Sequence, residues 1–202
     1  MAKKSTDYIK KYKICVSGSA ALDPCTPKAK ELAKEVGRQV VKQGAILLTG
    51  ATTGIPYWAA VGANEANGIS IGFSPAGTEK EHIKVYRLPT DMFDVIVYTG
   101  FGYAGRNLLL TRASDAVITI CGRMGTLNEF TVAFEDKKPL GVLEGSGGTA
   151  DKIDYLLKGG YRGRKKVIGS MYPNILVREV IKAIKVEKEN NHKGRKQTAK
   201  NE

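Results

Sequence analysis

Short, almost uninterrupted apolar runs alternate with segments whose apolar residues recur at helical spacing, and this alternation leaves few folds open to the chain. ICVSGS (14–19), AILLTG (45–50), ISIGFS (69–74), DVIVYTG (94–100), AVITIC (116–121), PLGVLE (139–144) and KVIGS (166–170) read as buried strands. After the first, Thr26-Pro27 reads as N-cap and first helical position. Ala29, Leu32, Ala33, Val36 and Val40 follow at helical spacing, and Gly44 closes the helix. Further helices are expected from Pro56 to Asn67, Leu108 to Ala113, Thr126 to about Asp136, Ala150 to Lys158 and Asn174 to about Lys188. Residues 75–91 are polar and without period, and read as one long connection. Strands that are apolar throughout, separated by helices, belong to a parallel sheet covered on both faces. The expected fold is therefore α/β, a three-layer doubly wound parallel sheet of about seven strands.

The formal net charge of the 202 residues is +12, unevenly spread. Residues 1–13 hold five Lys against one Asp, and residues 185–202 hold six Lys or Arg against three Glu, so more than half of the excess sits at the ends. The expected organisation is a basic N-terminal tail (1–12), one domain (13–186) and a polar C-terminal tail (187–202). Basic tails can bind nucleic acid, but no recognised module accompanies them, so nucleic acid is not the expected partner. No run approaches the roughly 20 apolar residues of a membrane span. MAKKSTDYIKKYK has no apolar stretch behind its lysines, so no secretory leader is expected either. Three cysteines, Cys15, Cys25 and Cys121, lack CxxC spacing; an odd count without a leader reads as reduced thiols in the cytoplasm. His82 lies in a charged loop and His192 in the tail, so a His-based metal site or a Ser-His-Asp triad has little to draw on. No metal and no resident cofactor are expected.

In open parallel sheets, ligands bind beyond the carboxyl ends of the strands, where the strand order reverses. Four loops in that position are rich in Gly, Ser or Thr: SGSA (17–20), TGATTGIP (49–56), TGFGYAGRN (99–107) and CGRMGTLNE (121–129). In the last, Gly122 and Gly125 let backbone amides turn toward a ligand, and the following helix adds free N–H groups and its positive dipole end. Thr126 adds a hydroxyl. The segment reads either as a phosphate cradle or as an ordinary turn with Thr126 as N-cap. Glu129 is either a favourable charge near the helix dipole or a carboxylate beside a bound sugar. Arg106 opens its helix, where a cation is unfavourable alone; its partner is then Glu129 or an anionic ligand, the alternative being a solvated surface position. Ser17, Gly18 and Ser19, and Gly50, Thr52, Thr53 and Gly54, are nucleotide-contact candidates on the first two loops. Tyr103 is a stacking candidate.

The stretch RNLLLTRASDAVITICGRMGTLNEFTVAFEDKKPLGV (106–142) resembles the LOG family, also described as lysine decarboxylase-like. That family carries Pro-Gly-Gly-x-Gly-Thr-x-x-Glu after a strand, with an Arg-Lys pair about twenty residues earlier. Here the motif runs from Cys121 to Glu129, with Arg106 at the arginine position. Cys121 and Arg123 replace its Pro and Gly, Asn107 replaces its Lys, and the loop from Gly50 to Pro56 has two glycines where the family prefers three. The resemblance implies a Rossmann-like sheet and a homodimer or higher homo-oligomer. It also implies hydrolysis of the N-glycosidic bond of a nucleoside 5′-monophosphate to free base and ribose 5-phosphate. Arg106 and Glu129 would then be catalytic, with Gly122, Gly125 and Thr126 at the phosphate; Arg123 either contacts the phosphate or blocks it. The alternative expectation is a non-catalytic binder, carrier or sensor of a nucleotide or phosphorylated cofactor, similar to proposed molybdenum-cofactor carriers. No step requires a metal.

Overall fold

The computed structural model describes residues 11–160, 162 and 167–198, with side chains through residue 190. Seven strands, β1 (Lys13–Gly18), β2 (Ile46–Thr49), β3 (Ser70–Ser74), β4 (Val95–Tyr98), β5 (Ala116–Ile120), β6 (Leu140–Leu143) and β7 (Val167–Ser170), form one sheet in the order β4-β3-β2-β1-β5-β6-β7. Every pairing is parallel. Between them run α1 (Ala29–Lys42), α2 (Ile55–Glu65), α3 (Glu79–Lys84), α4 (Gly102–Ala113), α5 (Met124–Glu135), α6 (Ile153–Gly159) and the closing α7 (Pro173–Thr198). The two-residue side-chain period divides the central strands between two cores. Ile14, Val16, Ile118 and Ile120 pack with α1, α2 and α7, while Cys15 and Val117 pack with Leu110 of α4, Phe130 of α5 and Leu157 of α6. The result is the expected three-layer, Rossmann-like α/β architecture.

The order reverses at β1. The chain steps outward from β1 to β4 and then returns to place β5 on the other side of β1. The register sets Ser17 beside Thr119 and Gly18 beside Ile120. The loops leaving β1 and β5 therefore open side by side, where a ligand crevice forms in such sheets.

Four local expectations change. The last helix, α7, runs to Thr198 rather than ending near Lys188, so it continues through most of the expected polar tail. Helix α1 starts at Ala29 rather than at Pro27, with no side-chain cap. Thr26 is drawn away instead, its N–H donating to the Ser146 carbonyl at 3.1 Å. The 75–91 connection contains α3, whose N-cap Thr78 accepts from the Glu81 N–H at 3.2 Å. Six residues are too short to show a period, and α3 turns His82 inward. It is fully buried, with Nε2 2.9 Å from the Pro89 carbonyl and Nδ1 2.8 Å from Ser74 Oγ. Because the carbonyl can only accept, Nε2 is the donor of its bond to Pro89. Finally, α4 begins at Gly102, so GFGYAGRN is mostly helix and Arg106 lies in its second turn, not at its start. Glu129 is likewise a turn deeper in α5, which begins at Met124.

Candidate functional site

A cavity of about 400 Å³ opens at the reversal point. Gly18, Ser19 and Ala20 after β1, Gly50, Thr52 and Pro56 after β2, Tyr103, Arg106 and Asn107 of α4, and Arg123, Gly125, Thr126 and Glu129 of the β5–α5 segment line it. The volume lies within the range of small-molecule sites. Nine of the thirteen candidate residues thus share one wall system: Gly18, Ser19, Gly50, Thr52, Arg106, Arg123, Gly125, Thr126 and Glu129. The other four support it. Ser17 donates its hydroxyl to Glu129 Oε2. Gly122, at φ +102°, packs beneath Thr126. Thr53 donates to the Ala20 carbonyl at 2.9 Å, and Gly54 lies against the Ser19–Ala20 backbone.

Helix α4 explains the polar centre. It turns Arg106, Asn107 and Thr111 inward with Leu110, while Leu108 and Leu109 face outward, inverting the usual polarity of a surface helix. Only a glycine at position 50 leaves room for the guanidinium, because a Cβ there would sit 1.7 Å from Arg106 Nη1. Nη1 lies 3.6 Å from Glu129 Oε1, with both side chains under a tenth exposed. With its amide nitrogen turned to the carboxylate, the orientation its neighbours satisfy, Asn107 donates to Glu129 Oε1 and to the Tyr103 carbonyl, each at 2.9 Å. Burial pushes the Glu129 carboxyl above its ordinary range, against the opposing pull of the Arg106 charge and the Ser17 hydrogen bond. Among the described residues, Arg106 Nε, Ser19 Oγ and, within β5, Thr119 Oγ1 are buried side-chain atoms without hydrogen-bond partners.

The α5 end supplies the other half. Leu127 N–H makes the first bond back, to the Arg123 carbonyl at 3.0 Å, so the amides of Met124, Gly125 and Thr126 precede the hydrogen-bonded ladder. Gly125 faces open space, with nothing within 4 Å of where a Cβ would stand. Two arginines, free helix amides and the dipole converge on the cavity, an arrangement that suits an anion. No cluster of three or more His, Cys, Asp or Glu among the described residues is arranged to hold a metal.

The cysteine reading is overturned. Cys25 and Cys121, 96 residues apart, form a disulfide with Cα atoms 5.4 Å apart, and only Cys15 is free and buried. The sheet register brings the β1 and β5 exits together, which linear spacing does not reveal. This pairing also removes the premise for a reducing compartment. A support missed in the sequence is the loop EGSGGTA (144–150). Cys121 N–H donates to Ser146 Oγ at 2.7 Å, Ala150 N–H to the Cys121 carbonyl at 2.8 Å, and Thr149 N–H to the Gly122 carbonyl at 3.0 Å. Its three glycines were the available signal. Asn107 was also missed as a partner of Glu129, because only the α4 geometry brings them together.

An uncharacterized protein of Archaeoglobus fulgidus is 26% identical over 132 residues, covering 65% of this chain and 82% of its own. The molybdenum cofactor binding protein of Rippkaea orientalis superposes with a TM-score of 0.68 at 29% identity, covering 87% of this chain and 98% of that one. The Moco carrier protein of Chlamydomonas reinhardtii gives 0.70 at 27%, with 88% and 99% covered. A sequence model of the SLOG cluster4 family matches residues 11–175, spanning β1 to the start of α7 and every residue of the cavity wall. The chain belongs to the SLOG cluster4 family and carries that superfamily's nucleotide-binding type of fold.

Proposed function

We propose that the protein binds and carries a small phosphorylated molecule, either a nucleotide or a phosphorylated cofactor of the kind held by molybdenum-cofactor carriers, without cleaving it. The observation that carries this reading is the state of Arg106. Its guanidinium is buried, meets its carboxylate only at 3.6 Å and leaves Nε unbonded. A buried cation so thinly satisfied is costly, and an anion entering the cavity would compensate it. Phosphate oxygens would rest on the Gly125 and Thr126 amides, with Arg123 reaching them from the rim. A ring system would extend toward Tyr103. The wall contains neither His nor Cys, so recognition would fall on phosphate and ring rather than on a metal. Similarity to the two molybdenum-cofactor proteins supports a carrier.

A second reading, hydrolysis of a nucleoside 5′-monophosphate, rests on the Arg106–Glu129 pair facing one cavity. Glu129 would then stabilise the oxocarbenium-like centre and direct water. That role needs an ionised carboxylate, whereas burial favours the protonated form. Native mass spectrometry of the purified protein identifies a copurifying ligand. Prolonged incubation with AMP then separates the readings: intact AMP supports a carrier, and release of adenine with ribose 5-phosphate refutes it in favour of the hydrolase. Loss of AMP binding in Arg106→Ala is expected under both.

A further inference from the structure

We propose that the Cys25–Cys121 disulfide is a redox control on the cradle at the mouth of β5 and, through it, on ligand affinity. The second half rests on the ligand reading above. The bond joins the two segments that continue into lining residues of the cavity, the one leaving β1 and the one leaving β5. Ser19 and Ala20 belong to one wall, and the same segment continues through Leu22 and Asp23, both exposed, to Cys25. Cys121 begins the other wall, directly before Gly122 and Arg123, and its backbone is held at φ +53°, a left-handed conformation uncommon for a residue other than glycine. The disulfide is the covalent tie across the reversal point, where the walls must keep their spacing for amides and guanidinium groups to meet one anion.

Other ties are non-covalent: the β1–β5 ladder ends with Gly18 beside Ile120, and Ser17 donates to Glu129. Cys25 touches the 145–150 loop through an isolated bridge to Gly147, and Cys121 through Ser146 and Ala150. Both sulfur-bearing segments thus lean on one loop without bonding each other by backbone. Once the disulfide opens, the sheet keeps its ladders, the core its packing and Ser17 its hydrogen bond to Glu129, while the cradle loses its covalent link to the β1 segment. Chemical selectivity is built in. Cys25 is half-buried beside exposed chain, whereas Cys15 is fully buried and burial pushes its thiol well above the ordinary range. A thiol reductant therefore meets the bond from the Cys25 side, and Cys15, already a free thiol, takes no part in the exchange.

The step is thiol–disulfide exchange. A reductant thiolate attacks Cys25 Sγ, the S–S bond breaks, and Cys121 leaves as a thiolate that takes a proton from water. A second reductant thiol resolves the mixed disulfide, so two electrons and two protons enter the protein and the reductant leaves as its own disulfide. A coupling of ordinary size shifts affinity on the order of tenfold. Reciprocity then requires bound ligand to make the disulfide harder to reduce by the same factor, about 30 mV for a tenfold effect.

The test uses the full chain, oxidised and after treatment with a dithiol, with AMP as the probe. Alkylation and mass spectrometry are expected to label no native cysteine before reduction and two after it. Hydrogen exchange of peptides covering 121–129 is expected to accelerate on reduction, and the AMP Kd to rise about tenfold. Cys25→Ser should behave as the reduced protein and ignore the dithiol; if that variant misfolds, the comparison of redox states in the unaltered chain still decides. Unchanged exchange, or accelerated exchange with an unchanged AMP Kd, overturns the proposal. If the oxidised protein binds no AMP while exchange still accelerates, the ligand reading fails and the redox control of the cradle stands.

Discussion

Replacing Gly125 with alanine should raise stability and lower ligand affinity, a pairing that a purely structural glycine does not produce. Gly125 is the second residue of α5, lacks a positive φ, and has no atom within 4 Å of the position a Cβ would take. Alanine there meets no clash and no strain. It should stabilise the fold by about 0.4–1 kcal/mol through the unfolded chain and helix propensity. For a chain of this length that is a rise in Tm of roughly 1–4 °C. The methyl group, however, enters the cavity at the point where an anion would approach the α5 amides. A charge-assisted hydrogen bond is worth about 1.5–3 kcal/mol, so its loss weakens AMP binding roughly 10- to 150-fold. Differential scanning calorimetry and isothermal titration with AMP read the two effects separately. A lowered Tm would show that the space around Gly125 is not open. An unchanged Kd would show that no anion rests there, and the placement of the phosphate would be wrong.

Gly50→Ala places a methyl on Arg106 and must drive the guanidinium from Glu129; AMP affinity should drop at least about tenfold and stability by about 1–3 kcal/mol, and equal values by titration and calorimetry would refute the packing argument. For Glu129, the folded state binds its proton more tightly than the unfolded chain, whose ordinary value is 4.5. This group's contribution is full below that pH and is lost as pH rises through the folded value. The stability of Glu129→Gln relative to the unaltered protein should therefore grow above about pH 4.5, and a flat difference in denaturant titrations across pH would contradict the raised carboxyl. Leu108 and Leu109 face outward on α4; if the homo-oligomer that the family resemblance implies packs through this face, the double change to Glu should lower the mass in analytical ultracentrifugation, and an unchanged mass would show that no interface lies there.

Sequence pattern alone determined the class of fold, because apolar runs that alternate with helical-period segments pack as a parallel sheet with helices on both sides. It also picked out the loops at the strand ends, since glycine and hydroxyl residues follow four of the strands, β1, β2, β4 and β5. Tertiary structure decided how those loops are used. Arg106 read as a cation at a helix start and is instead a second-turn residue buried under Gly50. His82 read as a loop residue and is sealed between Ser74 and Pro89. Cys25 and Cys121 read as separate thiols and are joined. Each case has the same physical cause. Local pattern records a residue's preference for helix, strand or turn, whereas burial, charge pairing and covalent linkage depend on which distant segments the sheet order sets side by side. That order placed β5 against β1, and the cavity exists only because of it.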